Sequence, residues 1–206
     1  MTGENLFPRC VPSYPSGMEL DAIRERPVPR TSGEYTPAAV LIPLIIDANE
    51  RMLLFTRRAP DLDDHPGQIS FPGGRQEAGD TDLVDTALRE AHEEIGLEPS
   101  RCTLHGSLDP IITVTGFEVI PFLGEVPNGP YERNPSEVAE ILSVPVEALL
   151  DERNYEAAIR DHPNNGETTV HYFTVDGTTI WGATARILVQ LLELTYGWQP
   201  PAVEFR

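Results

Sequence analysis

Three glutamates, Glu90, Glu93 and Glu94, follow Arg89 in the run R-E-A-H-E-E. On a helix, residues three and four apart are neighbours, so the three carboxylates would share one arc. Like charges crowded in this way repel unless a cation sits among them. Hard divalent ions such as Mg²⁺ take oxygen ligands and bridge to substrate phosphates, and carboxylates suit Mn²⁺ equally. Arg89 stands four residues before Glu93 and can pair with it while the other carboxylates ligate. Ordinary solvated acidic faces show the same spacing, and on E-x-x-E-E alone that is the simpler reading.

The surrounding stretch, Phe71 to Leu97, supplies the elements that would position these groups. It opens with a tight turn, Phe71-Pro72-Gly73-Gly74, enters a helix near Asp80 and closes at Gly96, a residue suited to the left-handed position past a helix end. Val84, Leu88, Ala91 and Ile95 recur at helical spacing and predict an apolar arc turned to a core.

The turn and the run R-E-A-H-E-E-I-G-L together resemble the Nudix box, G-x5-E-x7-R-E-U-x-E-E-x-G-U with U aliphatic. Gly74, Arg89, Glu90, Glu93, Glu94, Gly96 and Leu97 match. Asp80 stands where the first Glu is expected, eight residues rather than seven separate it from Arg89, and Ala91 is small for its aliphatic slot. Upstream, L-L-F-T-R-R and G-Q-I-S-F-P-G-G resemble the coenzyme A pyrophosphatase branch of that family, whose signature is close to L-L-T-x-R-S, a gap, then G-x3-F-P-G-G. Phe55 and Arg58 depart from its Thr and Ser. Downstream, G-F-E-V-I-P-F and Y-F-T-V-D-G-T-T-I-W-G-A-T-A-R-I-L extend the similarity, so that it runs from about Val40 to Leu194.

This resemblance implies an α/β fold, a Nudix-type α/β/α sandwich with a mixed β-sheet. It implies metal-assisted hydrolysis of a pyrophosphate bond in a small-molecule nucleoside diphosphate substrate. Coenzyme A or acyl-coenzyme A is the first expectation, cleaved to 4′-phosphopantetheine or its acyl form and adenosine 3′,5′-bisphosphate. Glu90, Glu93 and Glu94 would hold Mg²⁺ or Mn²⁺, with the Gly74 carbonyl and Glu140 as further ligands and Glu137 as the alternative to Glu140. Glu93 or Glu90 would accept the proton of the attacking water, and Arg89 would orient the cluster. Arg57, Arg58, Arg75 and Gln68 are the nearest substrate-binding candidates; a turn that merely positions Gly67 and Gln68 is the plain alternative. Two readings compete: a Nudix pyrophosphatase acting on NADH, ADP-ribose or another dinucleotide, and a non-catalytic Nudix-fold binding module. Such modules commonly lose box carboxylates, and here all three are kept.

The whole chain is compatible with this chemistry. Its 206 residues suit one domain, read as a Pro-rich irregular lead-in (1–36), the Nudix domain (37–199) and a tail (200–206). Hydrophobic content of 40% and charged content of 23% are those of a globular protein. No run is long enough to cross a bilayer and the N-terminus lacks a signal pattern, so a cytoplasmic location is expected. A formal charge of −18 argues against nucleic-acid and anionic-membrane partners, which need basic surface. Every basic residue counted is an arginine. Cys10 and Cys102 form no framework and read as reduced thiols. A homodimer is compatible with the lead-in.

Along the chain, the pattern predicts a short helix at Glu19–Arg26 with Arg24, Arg26 and Arg30 solvated. Strands follow at Ala38–Ile46, with Pro43 marking an edge or bulge, and at Arg51–Arg57, with a short one at Ile69–Pro72. Two more lie at Cys102–Val114 and Phe117–Val126 around the Thr115-Gly116 turn. Glu137–Pro145 reads as a strand entering a helix. A hairpin joins Thr168–Val175 to Thr178–Trp181 across Asp176-Gly177. A helix at Ala183–Tyr196 is stopped by Gly197, and Trp181 is expected in the core.

Overall fold

The computed structural model describes residues 19–24, 26–48, 50–62, 65–162 and 166–201. The order is α1 (Asp21–Arg24), β1 (Thr36–Asp47), β2 (Glu50–Arg58), β3 (Ile69–Ser70), β4 (Gly73–Arg75), α2 (Leu83–Ile95), β5 (Thr103–Ser107), β6 (Ile111–Ile112) and β7 (Phe117–Glu125). Then come β8 (Val138–Pro145), α3 (Val146–Leu150), β9 (Tyr155–His162), β10 (Gly166–Val175), β11 (Thr178–Trp181) and α4 (Gly182–Tyr196).

The main sheet runs β3-β2-β1-β7-β5, with β4 paired to β1, β6 to β7 and β8 to β2. It is mixed, because β1 and β7 run parallel while β1 and β2 are antiparallel. β1 and β2 pair only next to their turn, from Leu44↔Leu53 to Asp47↔Glu50. Beyond that they part, and residues 69–75 enter the gap. β3 pairs with β2 at Thr56 and Arg57, and β4 pairs with β1 at residues 38–40. The turn that leads into α2 is therefore wedged into the middle of the sheet.

Pro43 lies in a central strand, not at an edge as its ring suggested. On one side, pairing with β7 continues through Pro43↔Gly124. On the other, the Leu41 N–H donates to the Pro72 carbonyl, and residue 43 faces the gap between the two short pairings. A residue without an N–H costs nothing in a place where no ladder bond is due.

Both faces of the sheet are covered, which explains the unbroken apolar run of β1. Ala39, Leu41 and Ile45 join Leu54, Ile120 and Phe122 under Ala87, Ala91 and Ile95 of α2. Ile42 and Leu44 join Leu53, Phe55 and Leu123 on the opposite face, under α4 and the β9–β10–β11 sheet. These layers make the α/β/α sandwich.

Four local readings change. The helix expected over Glu19–Arg26 is a single turn, and its arginines are engaged. Leu20 and Ile23 enter the core, Arg24 Nη2 donates to His105 Nδ1 at 2.9 Å, and Arg26 pairs with Asp109; Arg30 is exposed. Ser32 fastens the same segment to buried Glu118 through its N–H (2.8 Å) and hydroxyl (2.9 Å). The strand expected over 102–114 breaks at Leu108-Asp109-Pro110 into β5 and β6. β9, with few β-branched residues, had no sequence signal. Trp181 is 44% exposed, because its neighbour Ile180 takes the core-facing position of β11. Cys10, like the rest of residues 1–18 and the tail beyond 201, lies outside the described residues.

Candidate active site

α2 begins at Leu83, three residues later than the sequence suggested. Asp82 caps it, its Oδ1 accepting from the N–H groups of Val84 (2.8 Å) and Asp85 (2.9 Å). Gly96 ends it at φ 68°, where glycine is unstrained, with its N–H on the His92 carbonyl. Ala87, Ala91 and Ile95 are fully buried, whereas Val84 and Leu88 only flank that core. With Ala39 opposite, the small Ala91 suits a close approach of helix to sheet.

Asp80, outside the helix, is the anchor of the site. Its Oδ1 accepts from Arg89 Nε at 2.9 Å. Its Oδ2 accepts from the Glu77 N–H (2.8 Å), Thr86 Oγ1 (2.9 Å) and Arg89 Nη2 (3.1 Å). The Arg89 guanidinium holds the Asp80 carboxyl well below the usual carboxylate range, and Asp80 in turn raises Arg89. Arg89 Nη1 then reaches both Glu90 Oε1 and Glu93 Oε2 at 2.9 Å, and Nη2 donates to the Arg75 carbonyl at 3.1 Å. One arginine thus ties the glycine turn to two box carboxylates.

Glu94 points inward and is only 6% exposed. Burial, reinforced by Glu90 and Glu137 and opposed by Arg58, pushes its carboxyl up to about 8. Burial also raises Glu90, against the pull of Arg89. Glu90 lies against Gly74 so closely that a Cβ there would meet its Oε2 at 2.8 Å. Above these groups opens a pocket of about 300 Å³. Glu90, Glu93, Glu94 and Glu137 line its acidic side; Arg58, Arg75 and Arg89 line it as well.

Of the residues singled out in the sequence, Gly74, Arg58, Arg75, Arg89 and the three box glutamates meet in this pocket; Arg57, Gln68 and Glu140 lie outside its lining. The reason is strand alternation. Thr56 and Leu54 face α2, so Arg57 turns to the other face and pairs with its cross-strand neighbour Glu140 at 2.9 Å. Gln68 lies beside the start of α4, its Nε2 3.5 Å from a Cβ built on Gly182. On β8, Ile141 packs toward α2; Glu137, just before β8 and past the bulge that shifts the β2–β8 register between Arg57 and Arg58, lines the pocket.

The donor set fits a hard divalent ion: buried Glu94, half-buried Glu90 and exposed Glu93, and a carbonyl-bearing glycine turn that leaves no room for a side chain beside Glu90. Among the described residues, no three ligating groups are drawn together tightly enough to grip an ion as they stand. Arg89 takes one oxygen each of Glu90 and Glu93 and leaves the other oxygen of each free of it.

Residues 35–164 match the family model described as NUDIX domain. The chain is 38% identical over 169 residues to a protein named Uncharacterized Nudix hydrolase NudL from Enterobacter sp. (strain 638), covering 79% of this chain and 84% of that one. It is 39% identical over 158 residues to the protein of the same name from Yersinia enterocolitica, covering 76% and 80%. Among solved structures it is similar to a C. elegans Ap4A hydrolase binary complex, with TM-score 0.47 and 19% identity over 56% of this chain and 83% of that one. With the matched segment spanning the carboxylate helix, its turn and the sheet that holds them, the chain belongs to the Nudix hydrolase family.

Proposed function

We propose that this Nudix hydrolase cleaves the pyrophosphate bond of coenzyme A or acyl-coenzyme A, using Mg²⁺ or Mn²⁺. The observation that carries the reading is the pocket itself, where Glu90, Glu93 and Glu94 stand beside Arg58 and Arg75 at the Gly73-Gly74 turn. The coenzyme A preference is supported by L-L-F-T-R-R and G-Q-I-S-F-P-G-G, the segments that supply β2, β3 and the turn.

Glu90, Glu93 and Glu94 would hold the ion, with the Gly74 carbonyl and Glu137 beside them. Such an ion, when bound, neutralises charge on the diphosphate and acidifies water. The protein's own groups do the rest. Arg58 and Arg75 take the phosphate oxygens and orient the bridging bond. Water oxygen attacks phosphorus, the bridging P–O bond breaks, and its electron pair leaves with the departing phosphate. Glu93 or Glu90 accepts the water's proton. Arg89, tied to both, keeps the acceptor in place.

The test is turnover of coenzyme A, acyl-coenzyme A, NADH and ADP-ribose with Mg²⁺. The expected result is the highest kcat/KM for the coenzyme A compounds, with 4′-phosphopantetheine or its acyl form and adenosine 3′,5′-bisphosphate as products. Equal or better use of NADH or ADP-ribose removes the substrate assignment. No turnover of any of them would favour a binding module.

A further inference from the structure

We propose that Thr56 is a positioning residue for the Glu94 carboxylate and that Ser70 aims its hydroxyl. This rests on the reading above that Glu94 ligates a divalent ion. Glu90 and Glu93 are steered by Arg89, but Glu94 needs a different partner. The five guanidinium donors of Arg89 are all committed: Nε to Asp80, Nη1 to Glu90 and Glu93, Nη2 to Asp80 and the Arg75 carbonyl. None remains for Glu94.

Thr56 takes that role from behind, beside the Gly73 N–H and the Arg58 guanidinium that also favour the Glu94 carboxylate. It sits on β2, only 1% exposed, directly across from Ser70 on β3. Its Oγ1 is 3.5 Å from Glu94 Oε2, 3.2 Å from Ser70 Oγ and 3.4 Å from the Ser70 carbonyl. A threonine hydroxyl carries one proton and cannot serve all three acceptors. When the Ser70 hydroxyl donates to Thr56 Oγ1, the Thr56 proton is free for Glu94. Serine to threonine to carboxylate is then a directed chain in which each hydroxyl proton has an acceptor and each link polarises the next. The chain runs across the pairing of β3 with β2, so the segment that carries the glycine turn into the sheet also fixes the third carboxylate.

Mn²⁺ binding, read by calorimetry or by loss of the free-ion EPR signal, tests this without turnover. Thr56→Val keeps the side-chain shape and removes the hydroxyl; its Mn²⁺ affinity should fall about 10-fold or more, the scale of lost outer-shell partners, while Thr56→Ser stays within about 2-fold. A merely structural role would instead lower the metal-free unfolding midpoint and leave affinity alone. Ser70→Ala should weaken binding in the same direction, and it carries the test if Thr56→Val does not fold. Unchanged Mn²⁺ affinity in Thr56→Val, or in Ser70→Ala where that variant carries the test, overturns the proposal and leaves the functional reading standing. Absence of Mn²⁺ binding by the unaltered protein overturns both.

Discussion

Glu90 and Gly74 show how closely individual residues are matched in this site. A methyl group on Gly74 would meet a carboxylate, the end of a flexible side chain, so Gly74→Ala should displace Glu90 rather than unfold the protein. A shift of about 1 Å at a reacting centre costs about 100-fold in rate, and we expect that loss in kcat with little change in melting temperature. Gly73 makes the contrasting case. A Cβ there would meet backbone, with Val40 Cα at 2.6 Å, and β4 cannot keep its pairing with β1 around it. Gly73→Ala should therefore lower the melting temperature clearly, and equal melting of the two variants would contradict the assignment. Asp80 and Thr86 belong to the same scale. The family's first Glu is replaced here by a shorter acid one residue further off, and the Thr86 hydroxyl and Glu77 N–H hold it in place for Arg89.

At the scale of elements, α2 carries the three box glutamates, and its start is set by Asp82. Asp82→Ala removes the side-chain acceptor for two N–H groups and should cost about 1 kcal/mol by denaturant melting. α2 was legible in the sequence because its arginine and glutamates have side-chain roles that spacing reveals and its capping glycine takes a left-handed backbone position. Its start was misplaced because Asp80 and Asp82 are both plausible caps, and Asp80 is occupied by Arg89. β1 was legible from its apolar run, but its place at the centre was not. Pro43 argues for an edge unless the divergence of β1 from β2 is known, and that divergence is a long-range event. Glu140 and Glu137 illustrate the same limit. Both lie on one acidic segment, and they are separated by the bulge that shifts the β2–β8 register between Arg57 and Arg58, which pairing sets and local sequence does not. β9 has little β-branched character and is held by pairing with β10 from residue 155 to 162.

At the scale of the whole molecule, residues 19–24 and 26–32 fasten onto the sheet beside β5 and β7. Gly106 has no Cβ where the Ile23 carbonyl lies against it, at 2.6 Å from where a Cβ would stand. Ile23→Ala should cost about 2–5 kcal/mol, the range for a buried aliphatic truncation, and be visible in urea melts. Next to it, His105 is buried and its imidazole lies below its ordinary value, because burial and Arg24 disfavour the charged form against the pull of Glu125. Arg24 can only donate, so Nδ1 accepts, and Nε2–H faces Glu125 Oε2 at 3.1 Å. In the unfolded chain this histidine takes a proton near pH 6.5, before the folded protein does. Stability should therefore fall as pH drops below about 6.5 and be unaffected by this group above it. His105→Gln should flatten that part of the pH–stability curve, and an unchanged slope would contradict the assignment. No described helix is long and apolar enough to cross a membrane. The proposed reaction rests on the carboxylates of α2 acting on a diphosphate. Its most direct test is the rate of coenzyme A hydrolysis at saturating Mg²⁺ for the unaltered protein and for Glu93→Gln, with both shown to be folded. The expected result is a loss of about 100-fold or more, the scale of a lost acid–base group, with the melting temperature retained. Equal rates in the two proteins would contradict it.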